Sequence, residues 1–448
     1  MKEARKTDRA SLRAQTIALA WPAIAQGLLT TIILFTDRLI LGRFSDAALA
    51  SMQVSGPVIW SVFSLFGAFG IGVLAVIGRS IGAEDSERAS KTMGTATAMA
   101  LSLGLIVGLA GHFLAGEITE LMVAQDLDAS TKGMAEQYMR IVFLCGPLMM
   151  LGSVNIVGFQ ASGDTKTPMW LTGAAGLLNL GLSWTLVFGL FGLPAMGILG
   201  AAAGTVAAAG CNSIGGLVLM YAKKAPIRPT APHKDALAAI MKVSWPAFGE
   251  KLLFHLGFLI FTSFVGHLGT DAMTAHQALM AIESLGFIAA SAFGIAAGAL
   301  VAQKLGAEKP DEARMAGNIS ARLGVGVLSA VGLFFFVFAE ALVGLFTENP
   351  EVIAMGAQCM LIAAAAQPLM ALADVYAGAL RGAGDTKNPM LVALGGPLVV
   401  RLSSCWLLAY ELELGLVGIW LGSTLDWAVR ALSLWLLFRR GRWVEIKV

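Results

Sequence analysis

Charged residues are scarce in this chain of 448 residues. They make up 13% of the sequence, against about 25% in soluble domains, and hydrophobic residues reach 57%. The formal net charge is only +2, so no strong overall field attracts an acidic partner. This balance excludes a disordered protein, a nucleic-acid-binding protein and an ordinary cytosolic enzyme.

Cysteines and reactive-site motifs are also scarce. The four cysteines stand in apolar runs and form no Cys-x-x-Cys pair, so we expect small buried hydrophobic side chains rather than disulfides or metal ligands. The sequence contains no nucleophile motif, metal-ligand cluster or cofactor fingerprint. It therefore predicts a protein that is not an enzyme and that needs no cofactor.

Long apolar runs are abundant. A membrane helix needs about 20 mostly apolar residues, and these runs do not alternate as the strands of a barrel would. The 52 glycines suit a bundle in which membrane helices approach closely. Twelve such runs predict an all-α integral membrane protein; they lie near residues 14–36, 53–78, 93–115, 136–158, 169–190, 195–221, 239–265, 277–302, 316–340, 353–377, 390–410 and 415–438.

Basic residues mark the loops on one side of the predicted bundle. They cluster before residue 14, in segment 222–238 and in the last ten residues, whereas the odd-numbered loops are mainly acidic. Positive charge accumulates on the cytoplasmic side, so we expect both termini in the cytoplasm and the protein in a bacterial cytoplasmic membrane. The basic stretch before the first run also fits a signal peptide, but that run recurs later in the chain, which favours a membrane span.

The two halves of the chain repeat. Shifting the sequence along itself superposes Trp21-Pro22 on Trp245-Pro246, and after a short deletion the same alignment superposes the Gly-Asp-Thr-Lys segments 163–166 and 384–387. Each repeat has six spans, so both enter the membrane from the same side and are related by a pseudo-two-fold axis along the membrane normal. We predict two six-helix lobes, 1–221 and 239–448, joined by a cytoplasmic linker at 222–238.

The repeated loops carry a recognisable motif. The segments FQASGDTKTPM (159–169) and ALRGAGDTKNPM (379–390), together with WPAIAQGLLTTIILFTDRLILGRF (21–44), resemble the MATE family of multidrug and toxic compound extrusion transporters, including its bacterial DinF-like branch. The resemblance covers nearly the whole chain. It implies export of bulky, often cationic or amphipathic compounds in exchange for H⁺ or Na⁺, by a monomer. An aspartate after glycine is also a helix N-cap signal, which predicts that these loops begin the fifth and eleventh spans.

Asp37 is the first polar candidate inside a predicted span. A charge at the bilayer centre costs about 2.5–3.5 kcal/mol, and the counterpart of Asp37 in the second repeat is Phe261, so the fold itself does not require an acid there. The resemblance implies that Asp37 is an ion-coupling residue that binds H⁺ or Na⁺. The alternative is a simple ion pair with Arg38.

Three polar residues join Asp37 as candidates in the first repeat. Asn179 and Ser183 are four residues apart and share a helix face, where the DinF-like branch carries an asparagine and an aspartate; Ser183 departs from that pattern. Asn155 is a candidate for the substrate cavity or, equally, for a hydrogen bond between helices. In the second repeat, Gln277 is a further candidate for the cavity.

The second repeat has acids of its own. Glu250 and Asp374 are candidate ion-coupling residues, and Glu250 offers a second position for Na⁺, although Asp374 stands about one turn from the acid of the NorM-like branch. By contrast, Asp426 and Arg430 are four residues apart and are expected to neutralise each other. Glu283 is expected to be structural.

Four prolines interrupt predicted spans. A proline removes a backbone hydrogen bond and kinks a helix, and we expect span 1 to bend when Asp37 changes protonation. The four are Pro22, Pro147, Pro246 and Pro368.

Two functions remain open on these observations. The first is an H⁺- or Na⁺-coupled exporter of organic compounds that works by rocking of two lobes, with small organic molecules and the bilayer as partners. The alternative is a flippase for lipid-linked intermediates from the same broad superfamily. Flippases usually have more spans and a strongly basic cavity, whereas the intramembrane charge here includes Asp37, Glu250 and Asp374, which favours cationic cargo.

Overall fold

A computed structural model describes residues 2–122, 128–223 and 225–448, with side chains from Arg9 onward. Within these ranges the regular structure is helical, without a strand. The first half forms eight helices: α1 (Lys2–Phe44), α2 (Asp46–Phe66), α3 (Phe69–Gly82), α4 (Ser86–Met122), α5 (Ala129–Leu144), α6 (Gly146–Ala161), α7 (Lys166–Phe188) and α8 (Ile198–Ala222).

The second half repeats this arrangement with longer single helices. Its elements are α9 (Lys234–Gly266), α10 (Thr270–Gly306), α11 (Pro310–Val337), α12 (Ala339–Gly344), α13 (Pro350–Gly382), α14 (Lys387–Ala393), α15 (Leu402–Trp406) and α16 (Gly415–Arg440). Two π-helical segments, Leu394–Arg401 and Leu407–Glu411, connect α14 and α15 into one helical stretch that ends before α16.

Each of the twelve predicted runs overlaps a helix. Among the described residues, ten helical stretches are long and apolar enough to cross a membrane, and α5 with α6 forms an eleventh that is bent by 56°. The twelfth run corresponds to α16, a helix of 26 residues that carries Asp426 and Arg430. The prediction of an all-α, multi-pass membrane protein is confirmed.

The four prolines occupy two kinds of position. Helices α1, α9 and α13 continue through Pro22, Pro246 and Pro368. Pro147 instead stands at the start of α6, directly after the break at Cys145 between α5 and α6, where its missing N–H is tolerated. Bending of α1, α9 and α13 at Pro22, Pro246 and Pro368 stays a prediction.

The repeated Gly-Asp-Thr-Lys loops do begin helices, as predicted. The Asp164 carboxylate accepts the backbone N–H of Thr167 at 2.9 Å, and the Asp385 carboxylate accepts that of Asn388 at 3.2 Å. Each bond satisfies a free donor in the first turn of the next helix. Lys223 adds an ion pair with Asp164 at 3.6 Å.

The chain forms two compact units. The first unit comprises residues 25–73 and 85–240, and the second comprises residues 1–24, 74–84 and 241–448. The first part of α1 and most of α3 therefore group with the second half of the chain. The lobe boundaries at 221 and 239 stay predictions.

Glycine permits one close crossing inside the second unit. A Cβ added at Gly82 of α3 would meet the backbone carbonyl of Gln303 in α10, and one at Gly306 would meet the carbonyl of Arg79. Gly82 and Gly306 are counterparts in the sequence repeat, as are Arg79 and Gln303, so the crossing has the symmetry of that repeat. Any side chain at either glycine would force these two backbones apart.

Candidate functional site

Asp37 of α1 lies inside the first unit with only 5% of its surface exposed. Its carboxyl group interacts with the side chains of Asn179 and Ser183, which lie one turn apart on α7 and are 2% and 0% exposed. The two helices meet closely here, because a Cβ at Gly176 of α7 would contact Ile33 of α1 at 2.6 Å. The structure thus brings together three of the predicted site residues.

Three oxygen atoms at this position have no hydrogen-bond partner in the described part of the chain. They are Asp37 Oδ1, Asn179 Oδ1 and Ser183 Oγ, all of them buried. Buried polar atoms are rarely left unpaired in native proteins without a ligand, water or functional reason. A carboxylate, an amide oxygen and a hydroxyl form an oxygen donor set of the kind that hard cations prefer, and the carboxylate can also take a proton.

Two further residues at this site were missed by the sequence reasoning. The Tyr138 hydroxyl lies 3.4 Å from Thr205 Oγ1, and Tyr138 interacts electrostatically with Asp37. Helix α8 can approach this closely because a Cβ at Gly204, beside Thr205, would collide with Ser183 Oγ. The available signal was that Tyr138 is one of only four tyrosines in the chain and falls in a predicted span.

The alternative role for Asp37, an ion pair with Arg38, does not form. Among the described residues Asp37 takes part in no ion pair, and the Arg38 side chain is exposed. The side chains that interact with Asp37 are neutral: the Asn179 amide, the Ser183 hydroxyl and the Tyr138 phenol.

The other two cavity candidates lie elsewhere. Asn155 is fully buried and donates from Nδ2 to the carbonyl of Ser213 at 2.7 Å, joining α6 to α8. Ser213 is nine residues from Gly204, about 13 Å along the helix. Gln277, in the second unit, is exposed and donates to Met273 Sδ at 3.8 Å. Neither belongs to the Asp37 group.

The first unit also contains an apolar cavity of about 130 Å³. It lies beside the break at Gly67 between α2 and α3, and Ser153 supplies the single side-chain hydroxyl of its wall. Rings and thioethers dominate the lining, from Phe63, Phe66, Phe69, Met99, Met149 and Met150.

Glu250 of α9 forms an ion pair with Arg381 of α13. The guanidinium donates from Nε to Oε2 at 3.2 Å and from Nη2 to Oε1, and the Glu250 side chain is 13% exposed. This two-bond geometry is the strongest form of a carboxylate–arginine contact. Lys251 and Asp374 lie within electrostatic reach of the pair.

Asp426 of α16 is clamped by two arginines. Arg401 approaches its Oδ2 at 2.8 Å, and Arg430 approaches the same atom at 2.9 Å, with Asp426 fully buried. The expected pair of Asp426 with Arg430 is confirmed, and Arg401 is a partner that sequence reasoning missed. The Arg430 guanidinium also stacks 3.6 Å from the centre of the Trp427 ring.

The four cysteines are free thiols; Cys145, Cys359 and Cys405 are buried, as predicted, and Cys211 is half-buried. In the described residues no group of three or more histidine, cysteine or acidic side chains is arranged to hold a metal ion.

Comparison with known protein families identifies the family of this chain. The MatE family model matches residues 22–185 and again residues 246–407. The chain belongs to the MatE family. The two matches begin at equivalent positions, Pro22 and Pro246, which confirms the internal repeat.

Relatives and solved structures agree with the MatE assignment. A probable multidrug resistance protein NorM from Thermotoga maritima is 27% identical, covering 98% of this chain and 94% of the relative. A NorM from Bradyrhizobium diazoefficiens is 28% identical, covering 95% and 92%. The Vibrio cholerae MATE transporter VcmN in its bent form has a TM-score of 0.88 at 20% identity, covering 97% and 98%. A MOP superfamily transporter from Pyrococcus furiosus has a TM-score of 0.89 at 18% identity, covering 97% of each chain.

Membership of the MatE family establishes the general functional properties of the protein. The protein is a multi-pass membrane transporter of the multidrug and toxic compound efflux family and not an enzyme, and its relatives imply small-molecule substrates. MatE structures have twelve membrane helices in two lobes, in agreement with the predicted fold class.

Proposed function

We propose that this MatE protein is an antiporter that exports organic cationic or amphipathic compounds in exchange for H⁺ or Na⁺. The observation that carries the proposal is the buried Asp37 carboxylate with neutral partners. Such a group can alternate between an ion-bound and an ion-free form without breaking an ion pair. The coupling mechanism is a rocking of two lobes that exposes the substrate site to each side in turn.

Asp37 is the coupling residue in this proposal, and Asn179 and Ser183 complete its oxygen donor set. Their unpaired oxygens accept a cation directly; alternatively, a proton on Asp37 donates to one of them. One charge moving through 100 mV supplies about 2.3 kcal/mol, so one or two ions per cycle support a useful gradient of substrate.

Glu250 and Asp374 have a different role in this proposal from the one the sequence suggested. Glu250 would have to give up two hydrogen bonds with Arg381 before it could bind a proton or Na⁺. We therefore assign these two acids to the charged cluster of the second unit, and ion coupling to the first.

The proposal also covers the cellular location, membrane orientation, oligomeric state and family branch of the protein. The protein resides in the bacterial cytoplasmic membrane with both termini in the cytoplasm, works as a monomer and is related to the DinF-like branch. The mixed signs of the intramembrane charges favour an exporter of organic compounds over a flippase for lipid-linked intermediates.

The test is accumulation of ethidium in proteoliposomes that are acidic inside, repeated with an outward Na⁺ gradient. Wild-type protein should accumulate dye with one of the two gradients, and Asp37→Asn should not, because the amide cannot exchange a proton. Asp46→Asn, the same substitution at an exposed residue of α2, should transport normally. Equal accumulation by wild type and Asp37→Asn would move coupling to the second unit, and no transport with either ion would reject the exporter.

A further inference from the structure

The apolar cavity of the first unit is not required by the repeated fold. Its volume is about 130 Å³, and it lies where α2 ends at Phe66 and α3 begins at Phe69. The equivalent stretch of the second repeat is one unbroken helix, α10, whose Ala290 and Phe293 belong to the core with 0% and 4% of their surface exposed. The same repeat can therefore pack tightly at this position.

One difference between the repeats keeps the cavity open. A Cβ at Gly70 of α3 would come within 3.1 Å of the Val157 side chain of α6. The counterparts in the second repeat are Gly294 and Gly378, and a Cβ at Gly378 would collide with the Gly294 carbonyl. The Val157 side chain thus stands between α3 and α6, whereas α10 and α13 pack backbone against backbone.

The lining of the cavity combines aromatic rings with thioethers and carries no charge. Its side chains are apolar except for the Ser153 hydroxyl, and they include the rings of Phe63 and Phe69 and the thioethers of Met99 and Met149. Aromatic rings pack favourably against one another in offset or edge-to-face arrangements, and methionine sulfur makes favourable contacts with ring edges. This lining therefore suits an uncharged aromatic ring.

Ser153 gives the cavity one polar group and part of its opening. In the described part of the chain the Ser153 hydroxyl forms no hydrogen bond, whereas the hydroxyls of Ser80 and Thr119 donate to the carbonyl four residues earlier in their own helices. Ser153 and Gly67 are exposed, and the other lining residues are buried or half-buried, so the cavity opens beside these two. The counterpart of Ser153 in the second repeat is Asp374, so the first repeat offers a neutral hydroxyl where the second has an acid.

The size of the cavity limits its occupant to a small molecule. An engineered apolar cavity of about 150 Å³ in another protein stays dry and binds benzene. A buried water molecule needs about two to four polar partners, and the side chains here supply only the Ser153 hydroxyl. A single ring with one hydroxyl group therefore fits both the volume and the chemistry of the lining.

We propose that this cavity binds small uncharged aromatic compounds, with the ring between the phenylalanine and methionine side chains and a phenolic hydroxyl on Ser153. None of the lining residues belongs to the group around Asp37, so the site is separate from the proposed coupling residue. The inference goes beyond the proposed antiport, because binding at this site requires neither an ion nor a gradient.

The experiment uses three fluorinated probes that share one ring. 4-Fluorophenol is uncharged and has a hydroxyl, fluorobenzene lacks the hydroxyl, and 4-fluorobenzylammonium carries a positive charge. Binding to the purified full-length protein in detergent is measured from the width of the fluorine NMR signal, with protein-free micelles as the background. Wild type should bind both uncharged probes, 4-fluorophenol the more tightly, and should not bind the cation.

Two variants test whether the probes occupy this cavity. Ala100 lines it and is 4% exposed, so Ala100→Leu fills the space and should weaken both uncharged probes by about tenfold or more. Ser153→Ala should weaken 4-fluorophenol about fivefold, the scale of one neutral hydrogen bond, and leave fluorobenzene unchanged. Ala110→Leu and Ser102→Ala, at exposed positions of α4, are the matched controls and should change neither affinity.

The contrary results are separable from failure of the exporter proposal. The aromatic site is overturned if wild type binds neither uncharged probe, if it binds the cation as tightly as the others, or if Ala100→Leu leaves binding unchanged. Displacement of 4-fluorophenol by hexanol as readily as by phenol would assign the cavity to alkyl chains and overturn the site as well. If Ala100→Leu does not fold, Ser153→Ala and the order of the three probes on wild type decide. A failure of ethidium export leaves this site standing, because the binding measurement involves no transport.

Discussion

The two halves of this chain share a fold but not a charge pattern. The first unit places Asp37 near Asn179, Ser183 and Tyr138, none of them charged. The second unit instead places its intramembrane acids near arginine or lysine. The two copies of the repeat therefore differ in the electrostatic chemistry of their buried acids.

The repeat shows where the chemistry diverged. In the alignment of the two halves, Phe261 takes the place of Asp37, and Asp426 takes the place of Thr205. The carboxylate has thus moved from the first helix of the repeat to the sixth, and Arg401 lies over the Phe261 ring at 5.3 Å. The first unit has a buried acid without an ion-pair partner in the described residues, and the second has one that contacts two arginines.

The largest loss of stability is expected when Asp426 loses its charge. Asp426→Asn leaves the two guanidinium groups without the carboxylate that both contact, and breaking a buried ion pair on one side costs about 3–5 kcal/mol. We expect a large fall in the unfolding temperature in detergent. Asp46→Asn, at an exposed position, is the control and should change little. An unchanged unfolding temperature for Asp426→Asn would show that the arginine clamp is not structural.

A smaller loss of stability is expected at the partly exposed pair. Glu250→Gln removes the charge that receives two bonds from Arg381, whose side chain is 27% exposed and can still reach water. Hydrogen bonds to charged groups contribute about 1.5–3 kcal/mol, so the unfolding temperature should fall less than for Asp426→Asn. A greater fall than at Asp426 would contradict the ranking by burial. Glu136→Gln, whose i,i+4 pair with Arg140 is more exposed, should change it least.

Sequence alone predicted the parts of this structure that depend on local composition. Apolar run lengths located the helices, and repeated Asp164 and Asp385 located two helix starts, because both signals lie within a few adjacent residues. The pair of Asp426 with Arg430 was predictable for the same reason, since it spans one helical turn.

Contacts between distant helices could not be predicted in this way. Glu250 and Arg381 are 131 residues apart, and Tyr138 and Thr205 are 67 residues apart, so each contact depends on which helices become neighbours. Glu250 was consequently a candidate coupling acid in the sequence, and Tyr138 was not singled out. The second copy of the repeat gave no guide, because Cys359 stands opposite Tyr138 and Val400 opposite Asn179.

Tyr138→Phe is a milder change, and it tests the polar surroundings of Asp37 in the first unit. It removes one hydroxyl that lies 3.4 Å from Thr205, a long contact whose loss costs at most about 0.5–1.5 kcal/mol. We expect little change in unfolding temperature but a several-fold change in ethidium transport, with an altered dependence on pH, because the hydroxyl interacts with the carboxylate that we propose for ion coupling. An unaltered pH profile would remove Tyr138 from the ion site. Tyr410→Phe, in the second unit, should leave that profile unchanged.

Asp37→Asn should not lower stability, although its effect on transport should be the greatest. Asp37 has no ion-pair partner in the described structure, so Asp37→Asn strands no opposite charge, and a neutral amide is easier to bury than a carboxylate. The unfolding temperature should therefore stay constant or rise, while gradient-driven ethidium accumulation disappears. Measuring both quantities on one preparation of Asp37→Asn and Asp426→Asn gives the decisive contrast. If Asp37→Asn destabilises the protein as strongly as Asp426→Asn, Asp37 is a structural charge. The two units then do not differ in whether their buried acid contributes to stability.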